Sequence, residues 1–265
     1  MKAVFFDADG TLCNIRTGVP ESAAAAVSQL MKNGHLAFLC TGRCRALVTP
    51  DLLALGLDGI LAACGTYIEY RGKVLLNHEV SLAAARESVG ILRRNGMVPV
   101  LEGAEYMYYD REEYTNSVDW FAGLITQLLG ERQKPIAGNE YNLHINKISA
   151  KKLPGSDPER ACRELAQYFE PIRHVGSFEG RTIELVPNGF SKGIGVEAVC
   201  RAFGVPIQDA VVFGDSNNDV SMFEHCGFGV AMGNAAPKIQ EMADYVTAPM
   251  EEDGIARALI HLGLI

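Results

Sequence analysis

The sequence predicts an α/β fold in which a doubly wound, mostly parallel sheet forms a core and a smaller α+β domain is inserted into it. Short apolar runs that each end at a polar or glycine cluster indicate the strands, and helical patterns lie between them. The middle of the chain breaks this alternation with longer, more polar and aromatic segments. With 265 residues, 48% of them hydrophobic, the chain is long enough for one large domain or two smaller ones.

Near-continuous apolar runs predict the strands of the parallel sheet. Runs of this kind suit strands that are buried on both faces. The runs are Ala3–Phe6, Leu36–Cys40, Ile60–Cys64, Ala210–Phe213 and Val230–Met232. Because ligands bind at the carboxyl ends of the strands in such sheets, the polar residues after these runs are candidate site residues.

Two segments between these runs have the residue spacing of helices. The first spans Glu21–Asn33 and is followed by Gly34 as a stop signal. The second spans Ser191–Phe203, with Ser191 as the candidate N-cap and Gly204 as the stop signal. Strands that alternate with helices are typical of a doubly wound fold.

The middle of the chain predicts the inserted α+β domain. We expect a core domain over residues 1–80 and 185–265 and an inserted domain over residues 81–184. The elements predicted in the insert are strands over Met97–Leu101, Tyr106–Tyr109, Asn142–Ile148 and Arg181–Val186, and helices over Asn116–Leu129 and Asp157–Phe169.

The composition narrows the classes of partner and compartment. A formal net charge of −8 disfavours non-specific binding to nucleic acid or anionic membranes. Seven cysteines without a CxxC pair favour a reducing compartment. The N-terminal apolar run is too short for a signal peptide, and no stretch approaches the roughly 18–20 apolar residues that span a bilayer. We therefore expect a soluble, cytoplasmic protein.

Two carboxylate-rich motifs give the strongest chemical signal. Asp7 and Asp9 follow the first apolar run, and Asp215 and Asp219 follow a later one. Close carboxylates repel one another, so such a group needs a metal ion, a shared proton or solvent. Oxygen ligands without suitable histidines nearby favour Mg²⁺ over zinc. Taken singly, each motif also fits a polar turn.

Two further clusters suit a phosphate group. Thr41 and Gly42 follow the second apolar run at a predicted helix start, where a hydroxyl and backbone N–H groups suit a phosphate oxygen. Lys192 lies in the first turn of a predicted helix, where the helix dipole disfavours a cation by roughly 0.3–1 kcal/mol. Its position is explained if an anion lies nearby. Taken singly, these clusters also fit an ordinary turn and a solvated surface lysine.

Together the four clusters predict a phosphoryl-transfer site. That chemistry needs charge neutralisation and in-line positioning more than unusual reactivity. A metal ion and Lys192 would offset the negative charge. Asp7 would attack phosphorus and form an aspartyl-phosphate. Asp9 would protonate the leaving oxygen and then deprotonate the water that hydrolyses the intermediate.

Six segments, in order along the chain, match the motifs of one family. They are Asp7–Thr11 (DxDGT), Thr41–Arg43, Pro187–Gly193, Gly214–Asp219 (GDxxND), Met232–Ala235 and Glu252–Ala256. On these segments the chain resembles the haloacid dehalogenase (HAD) superfamily, specifically its Cof-type phosphatases with a type IIB cap. Many of these relatives carry Asn-Gly-Ala after the third strand, whereas this chain has Cys64–Thr66.

The resemblance implies a HAD-like Rossmannoid core, a cap that closes over the substrate, and a Mg²⁺-dependent phosphatase for a small phosphorylated metabolite, with a sugar phosphate as the first expectation. Asp9 would bind the metal through its backbone carbonyl, and Asp219 would support the metal or Lys192. The residues implied in metal binding are Asp7, Asp9, Asp215 and Asp219. The residues implied in phosphate binding are Thr41, Gly42, Lys192 and Asn218.

Two alternatives share parts of this pattern. A phosphomutase would use the same aspartyl-phosphate chemistry and return the phosphoryl group to substrate rather than to water. A phospho-acceptor signalling module also combines clustered aspartates, a hydroxyl residue and a lysine on an α/β sheet. Its acceptor aspartate normally follows a later strand, and it lacks an inserted domain, so the phosphatase is favoured.

Overall fold

The structure is a computed structural model that describes residues 1–115, 120–173 and 182–265. In chain order the strands are β1 (Ala3–Phe6), β2 (Leu36–Cys40), β3 (Gly59–Ala62), β4 (Tyr67–Tyr70), β5 (Lys73–Asn77), β6 (Met97–Glu102), β7 (Met107–Tyr108), β8 (Gln133–Lys134), β9 (Lys147–Lys152), β10 (Phe169–Arg173), β11 (Thr182–Pro187), β12 (Ala210–Gly214), β13 (Phe228–Ala231) and β14 (Tyr245–Val246). The α-helices are α1 (Glu21–Lys32), α2 (Pro50–Ala54), α3 (Leu82–Arg94), α4 (Arg111–Thr115), α5 (Trp120–Leu129), α6 (Pro158–Leu165), α7 (Lys192–Phe203), α8 (Val220–His225), α9 (Pro237–Met242) and α10 (Gly254–His261).

Two compact units make up the chain, and the first comprises residues 1–42, 48–76 and 190–265. Its sheet has the strand order β14-β13-β12-β1-β2-β3-β4-β5. The strands from β14 to β3 are parallel, and β4 runs antiparallel to β3. From β1 the chain continues outward through β2 and β3 on one side and later through β12 and β13 on the other. A switch point therefore lies between β1 and β12, where ligands bind in doubly wound sheets.

Side chains from both faces of β1 are buried, which explains why its sequence is apolar throughout. Phe5 stacks on Phe38 of β2, with ring centroids 5.2 Å apart. Phe6 points to the opposite face and packs against Phe213 of β12 at 4.9 Å. Strands β1 and β2 have the predicted bounds, and the predicted helices are confirmed as α1 and α7. The predicted doubly wound α/β fold is confirmed.

The third strand ends two residues earlier than predicted. The prediction extended it to Cys64, but Ala63 and Cys64 adopt φ values of 49° and 55°, and Gly65 adopts 88°. These values lie in the left-handed region, which cannot continue a strand. The carboxyl end of β3 is therefore a left-handed turn, Ala63–Gly65.

The second unit comprises residues 43–47 and 77–189. Its sheet has the strand order β10-β11-β9-β6-β7-β8 and is antiparallel except for the β7–β8 pair. Helices α3 and α6 contribute to its apolar core together with one face of this sheet. The Ser81 hydroxyl caps α3 by accepting a hydrogen bond from the Ala84 N–H.

Predictions for the second unit are confirmed in part. The strand pair around Gly103 is present as β6 and β7. The prediction of a strand over Asn142–Ile148 is wrong before Lys147, where β9 begins, and His144 is exposed beside Glu79. The helix predicted over Asp157–Phe169 ends at Leu165, and Phe169 is instead the first residue of β10. Residues 116–119 and 181 of the predicted elements lie outside the described residues.

The other face of the second unit's sheet carries a buried ion cluster. Lys147 Nζ lies 2.9 Å from Glu102 Oε1 and also pairs with Glu184. The Ser149 hydroxyl donates a hydrogen bond to Glu102. The side chains of the lysine and both glutamates are at most 6% exposed. We call these four residues the Lys147 cluster.

Among the described residues the cysteines form no disulfide, and the helices include no candidate membrane span. All seven cysteines are free, and six of them are buried. Burial raises the pKa of the Cys200 and Cys226 thiols to about 11, so both are protonated at neutral pH. Within residues 1–115, 120–173 and 182–265, every helix is too short or too polar to cross a bilayer.

Candidate active site

The loops that follow β1 and β12 bring the predicted aspartates together at the switch point of the sheet. Phe6 of β1 is in register with Phe213 of β12, so Asp7 leaves the sheet beside the start of the Asp215 loop. Carboxylate oxygens of Asp7, Asp215 and Asp219 lie within 4.8 Å of one another. We call these three residues the carboxylate cluster.

Lys192 lies inside this cluster as a buried cation. Its Nζ donates hydrogen bonds of 2.6 Å to Asp7 Oδ1 and to Asp219 Oδ1, and its side chain is fully buried. The residue begins α7, which Ser191 caps by accepting a hydrogen bond from the Ile194 N–H. The two carboxylates therefore offset the unfavourable placement of a cation at a helix N-terminus.

Burial and charge shift the pKa values of this group. Burial alone would lower the pKa of Lys192, but Asp219 and Asp7 raise it well above its ordinary value. Burial, together with repulsion from Asp219, raises the pKa of Asp7 to about 7 despite the favourable effect of Lys192. Burial and the charge of Asp7 raise the pKa of Asp215 to about 9. When all three carboxylates are ionised, one lysine leaves the cluster with an excess of negative charge, which is why Asp7 and Asp215 hold their protons to higher pH.

Asp219 organises the Asp215 loop. Its Oδ2 accepts hydrogen bonds of 2.9 Å from the backbone N–H groups of Asp215 and Ser216. Its Oδ1 accepts the bond from Lys192. A Cβ atom at Gly214 would lie under 3.0 Å from the Asp219 side chain. The glycine of the GDxxND motif is therefore needed to admit Asp219.

Asp215 has an oxygen that suits a cation. Its Oδ1 is buried and has no hydrogen-bond partner among the described residues. A Cβ atom at Gly10 would lie under 3.0 Å from the Asp215 carboxylate, so Gly10, with its φ of 84°, allows the two loops to approach. An all-oxygen donor set with one unsatisfied carboxylate oxygen fits Mg²⁺.

Asp9 lies beyond the buried cluster on an exposed part of the same loop. The loop is closed by backbone hydrogen bonds, among them one from the Leu12 N–H to the Asp7 carbonyl and one from the Gly10 N–H to the Cys13 carbonyl. The Asp9 side chain is accessible to water. This arrangement suits the acid–base role predicted for Asp9.

The phosphate-binding prediction for Thr41 needs one correction. The Thr41 N–H donates a 2.8 Å hydrogen bond to the Leu61 carbonyl, which extends the β2–β3 pairing by one residue. That N–H is therefore not available to a phosphate. The predicted helix start after Gly42 is also wrong, because only a short 3₁₀ turn forms over Arg45–Leu47 before α2.

Asn218 lies in the 3₁₀ turn Asn217–Asp219. Its Oδ1 accepts a hydrogen bond of 3.0 Å from the Ser216 hydroxyl, which fixes the orientation of the side-chain amide. The amide is partly exposed and follows directly on the Asp215 loop, as the phosphate-contact prediction requires.

Sequence reasoning missed the part that Asn234 plays at this edge of the sheet. The Met232–Ala235 segment contributed to the family resemblance without any role for its side chains. Asn234 Nδ2 donates a 2.8 Å hydrogen bond to the Gly10 carbonyl. The positions of the two residues, 224 apart in the sequence, give no local signal of this contact.

Comparison with known proteins decides the family. A profile of the haloacid dehalogenase-like hydrolases matches residues 4–259. The chain belongs to this family. Its HAD membership confirms the resemblance drawn from the motifs.

Several relatives of this HAD protein are named as phosphatases. The protein called "Putative phosphatase YkrA" from Bacillus subtilis is 31% identical over 100% of this chain and 98% of its own length. Pyridoxal phosphate phosphatase YbhA from Escherichia coli is 25% identical over 97% and 96%. The 5-amino-6-(5-phospho-D-ribitylamino)uracil phosphatase YitU from B. subtilis is 25% identical over 97% and 95%.

Solved HAD structures share the fold. BT1666 from Bacteroides thetaiotaomicron superposes with a TM-score of 0.84 at 26% identity, covering 100% of this chain and 96% of that one. The HAD subclass IIB sugar phosphatase BT4131 gives 0.80 at 24% identity, with 100% of both chains covered. The protein is therefore a HAD-type phosphatase, a phosphoric monoester hydrolase that acts on small phosphorylated substrates.

Proposed function

We propose that this HAD protein is a Mg²⁺-dependent phosphatase of a small phosphorylated metabolite, with a sugar phosphate as the first candidate, and that it works through an aspartyl-phosphate on Asp7. The observation that carries the proposal is the position of Asp7. It is bound by the buried cation Lys192 and lies within 4.8 Å of Asp215 and Asp219. Charge neutralisation around a carboxylate nucleophile is what phosphoryl transfer requires.

The donor set supports a Mg²⁺ ion in the carboxylate cluster. Asp7, Asp215 and the backbone carbonyl of Asp9 would hold it, since Asp215 Oδ1 lacks a hydrogen-bond partner within the described chain. Asp219, the fourth predicted ligand, already accepts three hydrogen bonds, and we propose that its main contribution is to fix Lys192 and the Asp215 loop. When bound, Mg²⁺ supplies positive charge to the phosphoryl oxygens.

The first half-reaction transfers the phosphoryl group to the protein. Asp7 Oδ1 is held by Lys192, and we assign the attack on phosphorus to its other oxygen. The bond between phosphorus and the leaving oxygen breaks, and Asp9 donates its proton to that oxygen. The substrate leaves as an alcohol, and Asp7 carries the phosphoryl group.

The second half-reaction returns the phosphoryl group to water. Asp9, now ionised, takes a proton from a water molecule as that water attacks phosphorus. The bond to Asp7 breaks, and inorganic phosphate is released. Lys192 holds phosphate oxygens in both steps, and we propose that the Thr41 hydroxyl, Gly42 and Asn218 complete this set of contacts.

We also propose that the insert predicted over residues 81–184, which falls within the second unit, is the cap domain of this HAD protein. The named relatives act on a pyridoxal phosphate and on a phosphoribitylamino uracil, and the subclass IIB neighbour on a sugar phosphate. These compounds share a phosphate monoester on a small polar molecule. This shared chemistry supports the substrate class, and the sugar phosphate is the simplest case.

The proposal is tested by phosphate release from p-nitrophenyl phosphate and from a panel of phosphorylated sugars, nucleotides and cofactors. We expect turnover with Mg²⁺, loss of turnover on chelation, and a loss of at least about 10³-fold in Asp7→Asn because the nucleophile is removed. Undiminished hydrolysis by purified Asp7→Asn would overturn the assignment. An isomerised phosphosugar without free phosphate would indicate a mutase, and a stable phosphoprotein would indicate a signalling module.

A further inference from the structure

The loop after β13 contacts both aspartate-bearing loops of the site. The Met232 N–H donates to the Gly214 carbonyl at 3.1 Å, and the Ala236 N–H donates to the Asp215 carbonyl at 3.0 Å. Between these two anchors, Asn234 donates through Nδ2 to the Gly10 carbonyl at 2.8 Å. The loop thus ties the segment that bears Asp9 to the segment that bears Asp215.

Asn234 is itself held in position. Its Oδ1 accepts a 2.9 Å hydrogen bond from the Met250 N–H, so both ends of the side-chain amide are engaged and its orientation is fixed. The residue is nevertheless exposed. An exposed side chain with two ordered hydrogen bonds to backbone groups contributes little apolar burial, and its main effect is on the positions of the groups that it joins.

The Gly10 carbonyl belongs to the residue that directly follows Asp9 in its loop. The inner part of that loop is fixed by the Leu12 N–H bond to the Asp7 carbonyl. Gly10 has a φ of 84°, a conformation that glycine enters and leaves at little steric cost. The Gly10 N–H is held by the Cys13 carbonyl, and the bond from Asn234 holds the carbonyl of the same residue, next to the proposed acid–base group.

We propose that Asn234 is a positioning residue, which holds the Gly10 carbonyl so that Asp9 stays aligned with the leaving oxygen. This inference rests on the proposed function, since it assumes that Asp9 is the general acid. It assigns to Asn234 no contact with substrate. Its consequence is specific to one step, the protonation of the leaving group.

The test uses the dependence of kcat/KM on the leaving group. A nitrophenolate leaves without much help from an acid, whereas phenolate and alkoxides need protonation. For Asn234→Ala we expect kcat/KM to fall about threefold on p-nitrophenyl phosphate and about thirtyfold or more on phenyl phosphate, because general acid catalysis contributes about 10²–10⁴-fold. The steeper dependence is the readout that a merely structural role would not give.

Two variants complete the design. Asn234→Asp keeps an oxygen for the Met250 N–H but loses the donor to Gly10, so it should show the same steep dependence as Asn234→Ala. Gln240→Ala is the matched control, because Gln240 Nε2 donates to the Gly233 and Ala235 carbonyls of the same loop at 3.1 Å without bonding to Gly10. It should change both substrates by the same factor.

The outcomes separate this inference from the proposed function. Equal losses on both substrates in Asn234→Ala, a normal profile in Asn234→Asp, or a steep profile in Gln240→Ala would each overturn the role of Asn234. An inactive wild-type protein, or an active Asp7→Asn, would instead overturn the proposed function itself. Thermal unfolding of each variant, measured alongside, confirms that the folded protein is being compared.

Discussion

Each of the two units buries a lysine between two carboxylates, yet only one of these groups has the features of an active site. Lys192 pairs with Asp7 and Asp219. Lys147 pairs with Glu102 of β6 and Glu184 of β11. The Lys147 cluster lies within the strands of an antiparallel sheet. Lys192 lies where parallel strands end. Because both units contain a buried lysine with carboxylate partners, such ion pairs alone do not indicate catalysis.

The difference is a third carboxylate. Asp215 joins the group around Lys192 within 4.8 Å, and among the described residues no such third carboxylate joins the two glutamates at Lys147. Burial raises the pKa of both Asp7 and Asp215, and neighbouring carboxylates raise it further: Asp219 acts on Asp7, and Asp7 and Asp219 act on Asp215. A group with excess negative charge at a strand end is arranged to receive a cation, while a group within a sheet can serve folding alone.

The largest expected effect is the loss of activity on replacing Lys192. Lys192→Met removes the cation that binds the nucleophile, and we expect phosphatase activity to fall at least about 10³-fold. Lys192→Arg should recover little, because the fully buried site leaves no room for a guanidinium. Activity within tenfold of wild type in Lys192→Met would show that catalysis does not depend on Lys192, and the two buried lysines would no longer differ in function.

The next largest effect is on the free energy of unfolding. Here the two lysine variants should differ in whether Mg²⁺ restores their stability. Lys147→Met removes the cation that contacts both buried glutamates, and removal of one partner from a buried pair costs about 3–5 kcal/mol. Lys192→Met should be destabilised by a similar amount in chelator. Added Mg²⁺ should restore stability to Lys192→Met and not to Lys147→Met, as measured by urea unfolding. Equal restoration of both would contradict a metal site at the carboxylate cluster.

A smaller effect concerns the pH dependence of wild-type stability. The pKa values of Asp7 and Asp215 rise from 3.8 to about 7 and about 9 in the folded chain, so without metal the folded state holds protons that the unfolded state releases. Stability in chelator should therefore fall as pH rises from about 4 through about 9. Mg²⁺ at about 100 times its dissociation constant should add about 2.7 kcal/mol.

That stabilisation by Mg²⁺ should grow with pH, because the metal competes with protons for the same oxygens. Asp215→Asn provides the control, since it removes one ligand and part of the repulsion. Its melting temperature should depend less on pH in chelator and respond less to Mg²⁺. A wild-type protein whose stability in chelator rises between pH 5 and about 8 would contradict the predicted sign.

The smallest expected effect is at the left-handed turn after β3. Ala63 and Cys64 have φ values of 49° and 55°, a conformation that costs non-glycine residues roughly 1–2 kcal/mol each. Cys64→Asn should raise the melting temperature by a few degrees, because asparagine tolerates this conformation better. Val74→Asn on the exposed strand β5 is the control that should not. A lower melting temperature in Cys64→Asn would show that packing of the thiol outweighs the strain.

Much of the first unit could be predicted because its signals are local. Strands buried on both faces must be apolar throughout, so β1 and β2 were visible as uninterrupted runs. The aspartate motifs follow those runs directly, and the parallel order of the strands brings them to one edge. Lys192 was recognisable because a lysine in the first turn of a helix needs an anion.

The second unit was harder to predict because its determinants are not local. Lys147 begins a strand that alternates in polarity, and nothing in the sequence shows that its charge is buried between glutamates 45 and 37 residues away. The segment before it alternates in the same way but forms no strand. The turn at Ala63–Gly65 was missed for a related reason, since alanine and cysteine rarely adopt a left-handed conformation.

The pairing of β1 with β12 sets a waiting time during synthesis. Ala3 is in register with Ala210, so a ribosome that adds about 5–20 residues per second needs about 10–40 s to supply the neighbour of the first strand. Throughout that time one edge of β1 presents unpaired backbone groups and phenylalanine side chains. The nascent chain therefore exposes one unpaired strand edge until late in translation, and such edges are prone to aggregate.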